Sequence, residues 1–296
     1  MEELQIDRLV HAIEEKQNPS ILGLDTRIEY VPESFARQHG GDAAAIVRAF
    51  NFALLDALRE IIPCVKIQVA YYERMGLSGG ACLFDTLMEA RRMGYVVILD
   101  AKRGDIGPTA AAYSGAYLAP DAPLPADFMT VNPYLGVDGV RPFIEDCERT
   151  GRGIFVLVKT SNPSSGEFQD LLTEGGDPLF VRVGDKVSKW GESLMGREGY
   201  SSVGAVVGAT YPEQGAMLRR RMPRTFFLLP GYGAQGAAAS SLAGCFDSRG
   251  RGAAVNASRS LLCAYKKAGT EDFVSAARDE AVKMRSELQK ALHTRS

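Results

Sequence analysis

The stretch ILDAKRGDIGPT, residues 98–109, carries four charged residues within six positions: Asp100, Lys102, Arg103 and Asp105. The residues that lead into it, GYVVILD, form the near-continuous apolar run of a strand that is buried on both faces. A loop that only has to turn is usually built from glycine, asparagine and serine. Charges that directly follow a buried strand therefore indicate a functional edge of the sheet.

Asp100 and Lys102 are two positions apart, so on a strand their side chains point to the same side. Lys66, in the apolar run CVKIQVA, is expected on the neighbouring strand. Alternating acidic and basic groups at a low-dielectric edge keep one another ionised, because an unpaired charge there is strongly disfavoured. A catalytic array and a purely structural ion-pair network both fit this pattern.

Similar β-rich runs recur along the chain, and helical patterns separate most of them. The predicted strands are residues 20–25, 64–70, 94–102, 127–132, 153–161, 201–210, 225–231 and 252–258. Buried strands that alternate with helices indicate a parallel sheet covered by helices. Eight such units predict an α/β fold, a (β/α)8 TIM barrel, as a single domain over residues 1–296 with additional helices at the termini.

The active site of such a barrel lies at the carboxyl ends of its strands. Polar residues at or just beyond the predicted strand ends are Asp25, Lys66, Asp100, Lys102, Asn132, Lys159, Ser161, Thr210, Gln235 and Arg259. We expect these side chains to share one rim. The segment 161–177, rich in serine, glycine and proline, is long enough to be a mobile loop at that rim.

The segment LLPGYGAQG contains a G-x-G-x-x-G pattern formed by Gly231, Gly233 and Gly236. A dinucleotide site would require an acidic residue at the end of the next strand, where this chain has Asn256. A barrel accounts better for these glycines, because loops after strands seven and eight often bind phosphate through backbone N–H groups. Arg259 would add a charged, bidentate partner for that phosphate.

The composition argues against several classes of protein. A net charge of −2 argues against general nucleic-acid binding, and the basic run at 219–221 with Arg224 is interpreted as a solvated face. The five cysteines are odd in number and scattered, so they predict neither a disulfide framework nor a zinc site. None of the three histidines is placed to act as a general base or a metal ligand. With no run of 18 apolar residues, the chain is expected to be soluble, cytoplasmic and without membrane contact.

In these motifs the sequence resembles the orotidine 5'-phosphate decarboxylases, particularly the longer bacterial branch of that family. The shared segments are LGLD, VKIQ, LDAKRGDIGPT, KTSNPSS, PGYGAQG and SRS, which span nearly the whole barrel. The resemblance implies decarboxylation of orotidine 5'-phosphate to UMP in pyrimidine biosynthesis, with neither a metal nor another cofactor. It also implies that Asp25 and Lys66 bind ribose hydroxyls, that Asp100 lies beside the departing carboxylate, and that Lys102 protonates C6.

The resemblance further implies a homodimer with shared active sites, in which Asp105, Ile106 and Thr109 reach the site of the other subunit. For the base and the phosphate of the substrate, it implies contacts from Ser161, Gln235, Arg259 and the backbone N–H of Ser258. Many relatives have glycine in place of Ser258, so only a backbone role is carried over at that position. It implies no role for Asn132 or Lys159.

Three other functions remain open from the sequence. A magnesium-dependent sugar-phosphate decarboxylase or aldolase of the same superfamily shares the D-x-K-x-x-D pattern but needs a carboxylate on strand two, where this chain has Lys66. Lys159 could instead form the Schiff base of an aldolase. A non-catalytic phosphate-binding barrel is the third possibility, although it would not need the array of lysines and aspartates.

Overall fold

The computed structural model describes residues 3–232 and 239–293. Its parallel strands form a closed barrel in chain order, which confirms the predicted (β/α)8 fold. The strands are β1 Ser20–Leu24, β2 Cys64–Gln68, β3 Val96–Arg103, β4 Phe128–Val131, β5 Gly153–Lys159, β6 Ser201–Val207, β7 Thr225–Pro230 and β8 Ala253–Ala257. The pairing of Leu22 on β1 with Ala257 on β8 closes the barrel.

Helices surround the strands, and additional helices lie at both ends of the chain as predicted. In chain order they are α1 Gln5–Lys16, α2 Glu33–His39, α3 Ala43–Leu58, α4 Val69–Glu73, α5 Gly76–Arg92, α6 Gly107–Tyr117, α7 Val137–Thr150, α8 Gly166–Gln169, α9 Leu179–Trp190, α10 Pro212–Arg221, α11 Ala239–Leu242, α12 Arg259–Leu262, α13 Ala264–Ala268 and α14 Phe273–His293. In the described part of the chain, no helix is long and apolar enough to cross a membrane.

Alternation along each strand divides the apolar core into two parts. Residues such as Leu22 and Val65 pack outward against the helices, whereas Phe128, Phe155 and Phe226 fill the lower interior of the barrel. The rings of Phe128 and Phe155 lie 5.1 Å apart, in the range of favourable aromatic contacts. Helix α1 packs its apolar face against this interior cluster and covers the amino-terminal end of the barrel. The aromatic layer therefore forms a solid floor beneath the carboxyl-terminal rim.

The structure corrects the interpretation of the basic run in α10. Arg219 is buried rather than solvated, and its guanidinium stacks 3.7 Å from the centroid of the Phe227 ring. Its N–H groups donate to backbone carbonyls, among them those of Cys245, Thr225 and Gly252. A planar guanidinium with five donors suits such a cluster of acceptors. Arg219 thus ties the amino-terminal ends of β7 and β8 to α10.

The segment 161–177 is more ordered than its composition suggests. It contains a 3-10 turn, Pro163–Ser165, and the short helix α8. An isolated bridge pairs Leu172 with Pro178 and leads the chain back to α9. The prediction of a long loop at the rim is confirmed in its position, whereas local hydrogen bonding gives this loop structure of its own.

Candidate active site

The carboxyl-terminal ends of the strands enclose one large cavity of about 550 Å³. Its walls come from most of the strands and from the loops that follow them. Charged and polar side chains of β1 to β4 form one side, and Leu157, Val206 and Leu228 form an apolar patch on β5, β6 and β7. The cavity lies where the barrel rule predicts the site.

Lys66 stands at the centre of the charged side. Lys66 follows the inward-facing Cys64 by two positions on β2, so its side chain also points into the barrel. Its side chain is buried at the mouth of the barrel. The Nζ atom donates to Oδ2 of Asp100 at 2.9 Å and to Oδ1 of Asp25 at 3.1 Å. The predicted neighbours on β1, β2 and β3 are therefore in direct contact.

Lys102 joins the same network from the end of β3. Its Nζ atom lies 2.5 Å from Oδ1 of Asp100, and 44% of its side chain is exposed to the cavity and the solvent beyond it. The backbone of Lys102 has a φ of +47°, a left-handed conformation that is uncommon for residues other than glycine. The pairing of β3 with β4 is irregular between Leu99 and Arg103, and Lys102 lies within this irregular stretch.

The electrostatic balance of the array keeps both buried members ionised. Burial alone would raise the pKa of Asp100, but the ammonium groups of Lys66 and Lys102 outweigh it and hold that pKa well below 3.8. Burial alone would lower the pKa of Lys66, but the carboxylates of Asp100 and Asp25 outweigh it and hold that pKa above 10.5. Asp100 and Lys66 are therefore both charged at neutral pH.

Sequence reasoning missed two members of this network, Gln68 and Thr130. The amide of Gln68 donates to Oδ2 of Asp100 at 3.0 Å. The hydroxyl of Thr130 donates to Oδ1 of Asp100 at 2.9 Å and accepts from the backbone N–H of Lys102 at 2.9 Å. Gln68 follows Lys66 by two positions, a spacing that could have revealed it. Thr130 gives no such signal, because threonine is an ordinary strand residue.

The remaining walls contain several residues that the sequence singled out. Ser161 lies in the cavity wall together with Thr160 and Asn162. On the opposite side, Ser258 and Arg259 also line the cavity, at the point where β8 runs into α12. Gln235, Gly233 and Gly236 lie outside the described residues.

The sequence identifies Asn256 only as a residue near the end of a strand, yet this residue lines the cavity. Its amide nitrogen donates to Oγ of Ser258 at 3.1 Å. Its Oδ1 atom is buried and accepts no hydrogen bond from any described residue. A Cβ atom on Gly23 would lie 2.0 Å from Oγ of Ser258, so glycine at this position of β1 makes room for the serine.

Other predicted rim residues do not line the cavity. Asp105 is half-buried just before α6, whereas Ile106 and Thr109 are exposed at the beginning of that helix. Among the described contacts, Oδ1 of Asp105 accepts only the neighbouring N–H of Ile106. Asn132 instead accepts from the backbone N–H of Tyr134 at 3.0 Å.

Thr210 and Lys159 also lie away from the cavity. The Thr210 hydroxyl donates to the carbonyl of Ser161 at 3.4 Å. Lys159 is fully buried and paired with Asp170, so its amine does not reach a carbonyl substrate in the cavity. This geometry argues against the Schiff-base alternative. Within residues 3–232 and 239–293, no cluster of three or more His, Cys, Asp or Glu side chains is arranged to hold a metal ion.

The fold and the site define a (β/α)8-barrel enzyme with an alternating Asp–Lys array at the mouth of the barrel. The family model "Orotidine 5'-phosphate decarboxylase / HUMPS family" matches residues 21–270, and the chain belongs to this family. An orotidine 5'-phosphate decarboxylase of Clostridium acetobutylicum is 42% identical over 289 residues, which cover 97% of this chain and 99% of the relative.

Solved structures agree with this assignment. The crystal structure of a presumed orotidine 5'-phosphate decarboxylase from Streptomyces avermitilis has a TM-score of 0.82 and 35% identity, over 99% of this chain and 97% of that one. The structure of an OMP decarboxylase from Leishmania donovani has a TM-score of 0.79 and 28% identity, over 98% of this chain and 99% of that one. The match covers whole chains in both cases, so the family resemblance read from the motifs is confirmed.

Proposed function

We propose that this protein decarboxylates orotidine 5'-phosphate to UMP in pyrimidine biosynthesis, without a cofactor. The observation that carries the proposal is the network in which Asp100 contacts the ammonium groups of both Lys66 and Lys102. A single (β/α)8 domain over residues 1–296, located in the cytoplasm, would carry this activity.

The chemistry needs a fixed cation. When the C6–carboxylate bond breaks, its electron pair remains on C6, where no π-system can delocalise it. The ammonium of Lys102 stabilises this negative charge and donates a proton to C6, which gives UMP and carbon dioxide. Lys102 is then neutral and regains its proton from solvent. Asp100 holds both lysines in place, and its charge lies next to the carboxylate that leaves.

The other groups of the cavity would bind the rest of the substrate. Asp25 and Lys66 are hydrogen-bonded to each other. The Asp25 carboxylate would accept hydrogen bonds from the ribose hydroxyls, and the Lys66 ammonium would donate hydrogen bonds to them. Ser161 would contact the pyrimidine ring. Gln235, Arg259 and the backbone N–H of Ser258 would hold the phosphate, far from C6, so that its binding energy orders the charged array.

A homodimer would complete each site. Ile106 and Thr109 are exposed at the start of α6, where Ile106 is 55% exposed, and Asp105 just before them is half-buried. Tyr134, 80% exposed, follows β4 on the same rim, where an apolar surface favours contact with another protein. The partner subunit's Asp105 would then approach Lys102, while the partner's Ile106 and the partner's Thr109 would close the cavity.

The test is an absorbance assay of orotidine 5'-phosphate loss, run with and without a metal chelator. We expect equal rates in both samples. The magnesium-dependent rival requires a carboxylate on β2, where this chain places Lys66. Activity that disappears with the chelator and returns with magnesium would contradict the proposal and favour that rival.

A further inference from the structure

Lys159 is a buried cation for which the proposed reaction has no use. Its side chain is 0% exposed, and its Nζ atom lies 2.7 Å from Oδ1 of Asp170. The ammonium also lies 4.8 Å from the centroid of the Tyr211 ring and 5.4 Å from that of Phe180, within the range of cation–π attraction. The pairing of β5 with β6 shifts between Leu157 and Lys159, which turns Lys159 away from the cavity that Leu157 lines.

The partner of Lys159 lies on the loop that follows the same strand. Asp170 comes directly after α8. Its neighbour Gln169 makes two further hydrogen bonds, both to Thr160, which directly follows β5. Gln169 accepts from the backbone N–H of Thr160 at 2.9 Å and donates to its hydroxyl at 2.7 Å. Lys159 and Thr160, at the end of β5, are thus joined to Gln169 and Asp170 at the end of α8, which closes the loop 160–170 at its base.

The residues inside this closed loop form part of the cavity wall. Thr160, Ser161 and Asn162 all line the cavity. They pack against the residue that follows the neighbouring strand β6, where a Cβ atom on Gly208 would lie 2.8 Å from the backbone nitrogen of Ser161. The wall is therefore packed against the residue after β6, and the contacts of residues 159 and 160 with residues 169 and 170 tie its two ends together.

We propose that Lys159 is a positioning residue, whose ion pair with Asp170 holds residues 160–162 against the pyrimidine ring and thereby sets the affinity for the base. The inference rests on the proposed function, because it takes Ser161 as a contact of that ring. A lysine suits this role better than an apolar residue. An unpaired ammonium in such a buried position is strongly disfavoured, so release of Asp170 is opposed.

The test uses Lys159→Met, since methionine has a similar length and is compatible with contact to Tyr211 and Phe180. Asp170 is 40% exposed and can be hydrated when its partner is lost. We expect KM for orotidine 5'-phosphate to rise about tenfold or more, with kcat within about threefold, because the array on β2 and β3 is untouched. Amide hydrogen exchange of residues 160–170 should become faster in the ligand-free protein.

Two further variants make the result specific. Arg48→Met breaks a different ion pair, with Asp85 at 2.7 Å, and should leave KM and the exchange of residues 160–170 unchanged. In the double variant Lys159→Met/Asp170→Asn, KM should rise no further than in Lys159→Met alone, because one interaction is lost in both. If Lys159→Met does not fold, Asp170→Asn carries the same test from the partly exposed side of the pair.

Normal KM together with normal exchange in the folded variants would overturn the positioning role, and so would additive effects in the double variant. Failure of the proposed function would look different. The wild-type protein would then not decarboxylate orotidine 5'-phosphate at all, whereas the exchange measurement would still report whether the Lys159–Asp170 pair holds the loop.

Discussion

The Nζ atom of Lys102 lies 2.5 Å from Oδ1 of Asp100, although the Lys102 backbone has a left-handed φ of +47°. This conformation carries a cost for a residue with a side chain, so the surrounding contacts must maintain it. One of them is the hydrogen bond from the Lys102 N–H to the hydroxyl of Thr130. The position of the proposed proton donor thus depends on a strand that contributes no charge.

Replacement of Lys102 by alanine should reduce decarboxylation about 1000-fold or more, because the variant lacks both the cation and the proton donor at C6. Binding of UMP should remain measurable by calorimetry, since the lysine acts mainly in the transition state. Lys189→Ala, at an exposed position of α9, serves as the matched control and should keep full activity. Turnover of Lys102→Ala near the wild-type rate would refute the assignment.

Removal of the Thr130 hydroxyl in Thr130→Val should lower kcat about tenfold to a hundredfold. The variant loses the hydrogen bond to the Asp100 carboxylate and the one from the backbone N–H of Lys102. Thr130→Ser retains the hydroxyl and should recover most of the rate. Steady-state kinetics and UMP affinity are to be measured for both variants. Equal kcat values for the valine and serine variants would show that the hydroxyl does not position Lys102.

Arg259→Ala should raise KM and weaken UMP binding about a hundredfold, because a charged bidentate contact to the phosphate is lost. A truncated nucleoside that lacks the phosphate offers the control, and its slow turnover should be nearly the same in the variant and the wild type. If the truncated substrate is affected as strongly as the full one, Arg259 does not act through the phosphate.

Asp100→Asn should lower the free energy of unfolding at pH 7 by about 3 kcal/mol, because the buried ammonium of Lys66 loses a charged partner. Asp121→Asn, at an exposed position, should cost little and provides the control. Urea denaturation followed by circular dichroism measures both. A loss no larger than that of the control would show that the array contributes nothing to stability.

The stability of the wild type and of Asp100→Asn should depend differently on pH. The pKa of Asp100 is lower in the folded protein than its ordinary value of 3.8, because the two lysines outweigh the effect of burial. Such a carboxyl stabilises the fold above the unfolded pKa, and its contribution is lost as the pH falls through the folded pKa. Wild-type stability should therefore fall more steeply than that of Asp100→Asn below about pH 4. Parallel curves for the two proteins would contradict the lowered pKa.

The proposed dimer predicts complementation between inactive variants. Lys102→Ala and Asp105→Ala homodimers should each be nearly inactive, because every site lacks one of the two groups. After subunit exchange about half of the dimers are hybrids, and one of the two sites in each hybrid regains both groups. About a quarter of all sites should then be active. Mass-tagged chains verify the exchange, and exchanged samples that recover no activity would rule out the shared site.

The sequence predicted the barrel because each of its strands is apolar over most of its length and is followed by a polar or glycine-rich turn. It also predicted that Asp100 and Lys102 share one side, since side chains alternate along a strand with a period of two. Lys66 was placed beside them by the parallel order of β2 and β3. These properties follow from the alternation along each strand and from the order of the strands along the chain, so they can be predicted from the sequence.

Tertiary structure decided the rest. The period of two would also place Lys159 inside the barrel, but the register shift between β5 and β6 turns it outward to Asp170. The role of the Thr130 hydroxyl depends on its hydrogen bond from the Lys102 N–H, which lies in the irregular stretch of the β3–β4 pairing. Arg219 belongs to a run that is basic enough to be exposed, yet carbonyls from distant segments surround its guanidinium. In each case the partner comes from another part of the chain, and its position follows from the packing of whole elements rather than from the residue's own neighbours.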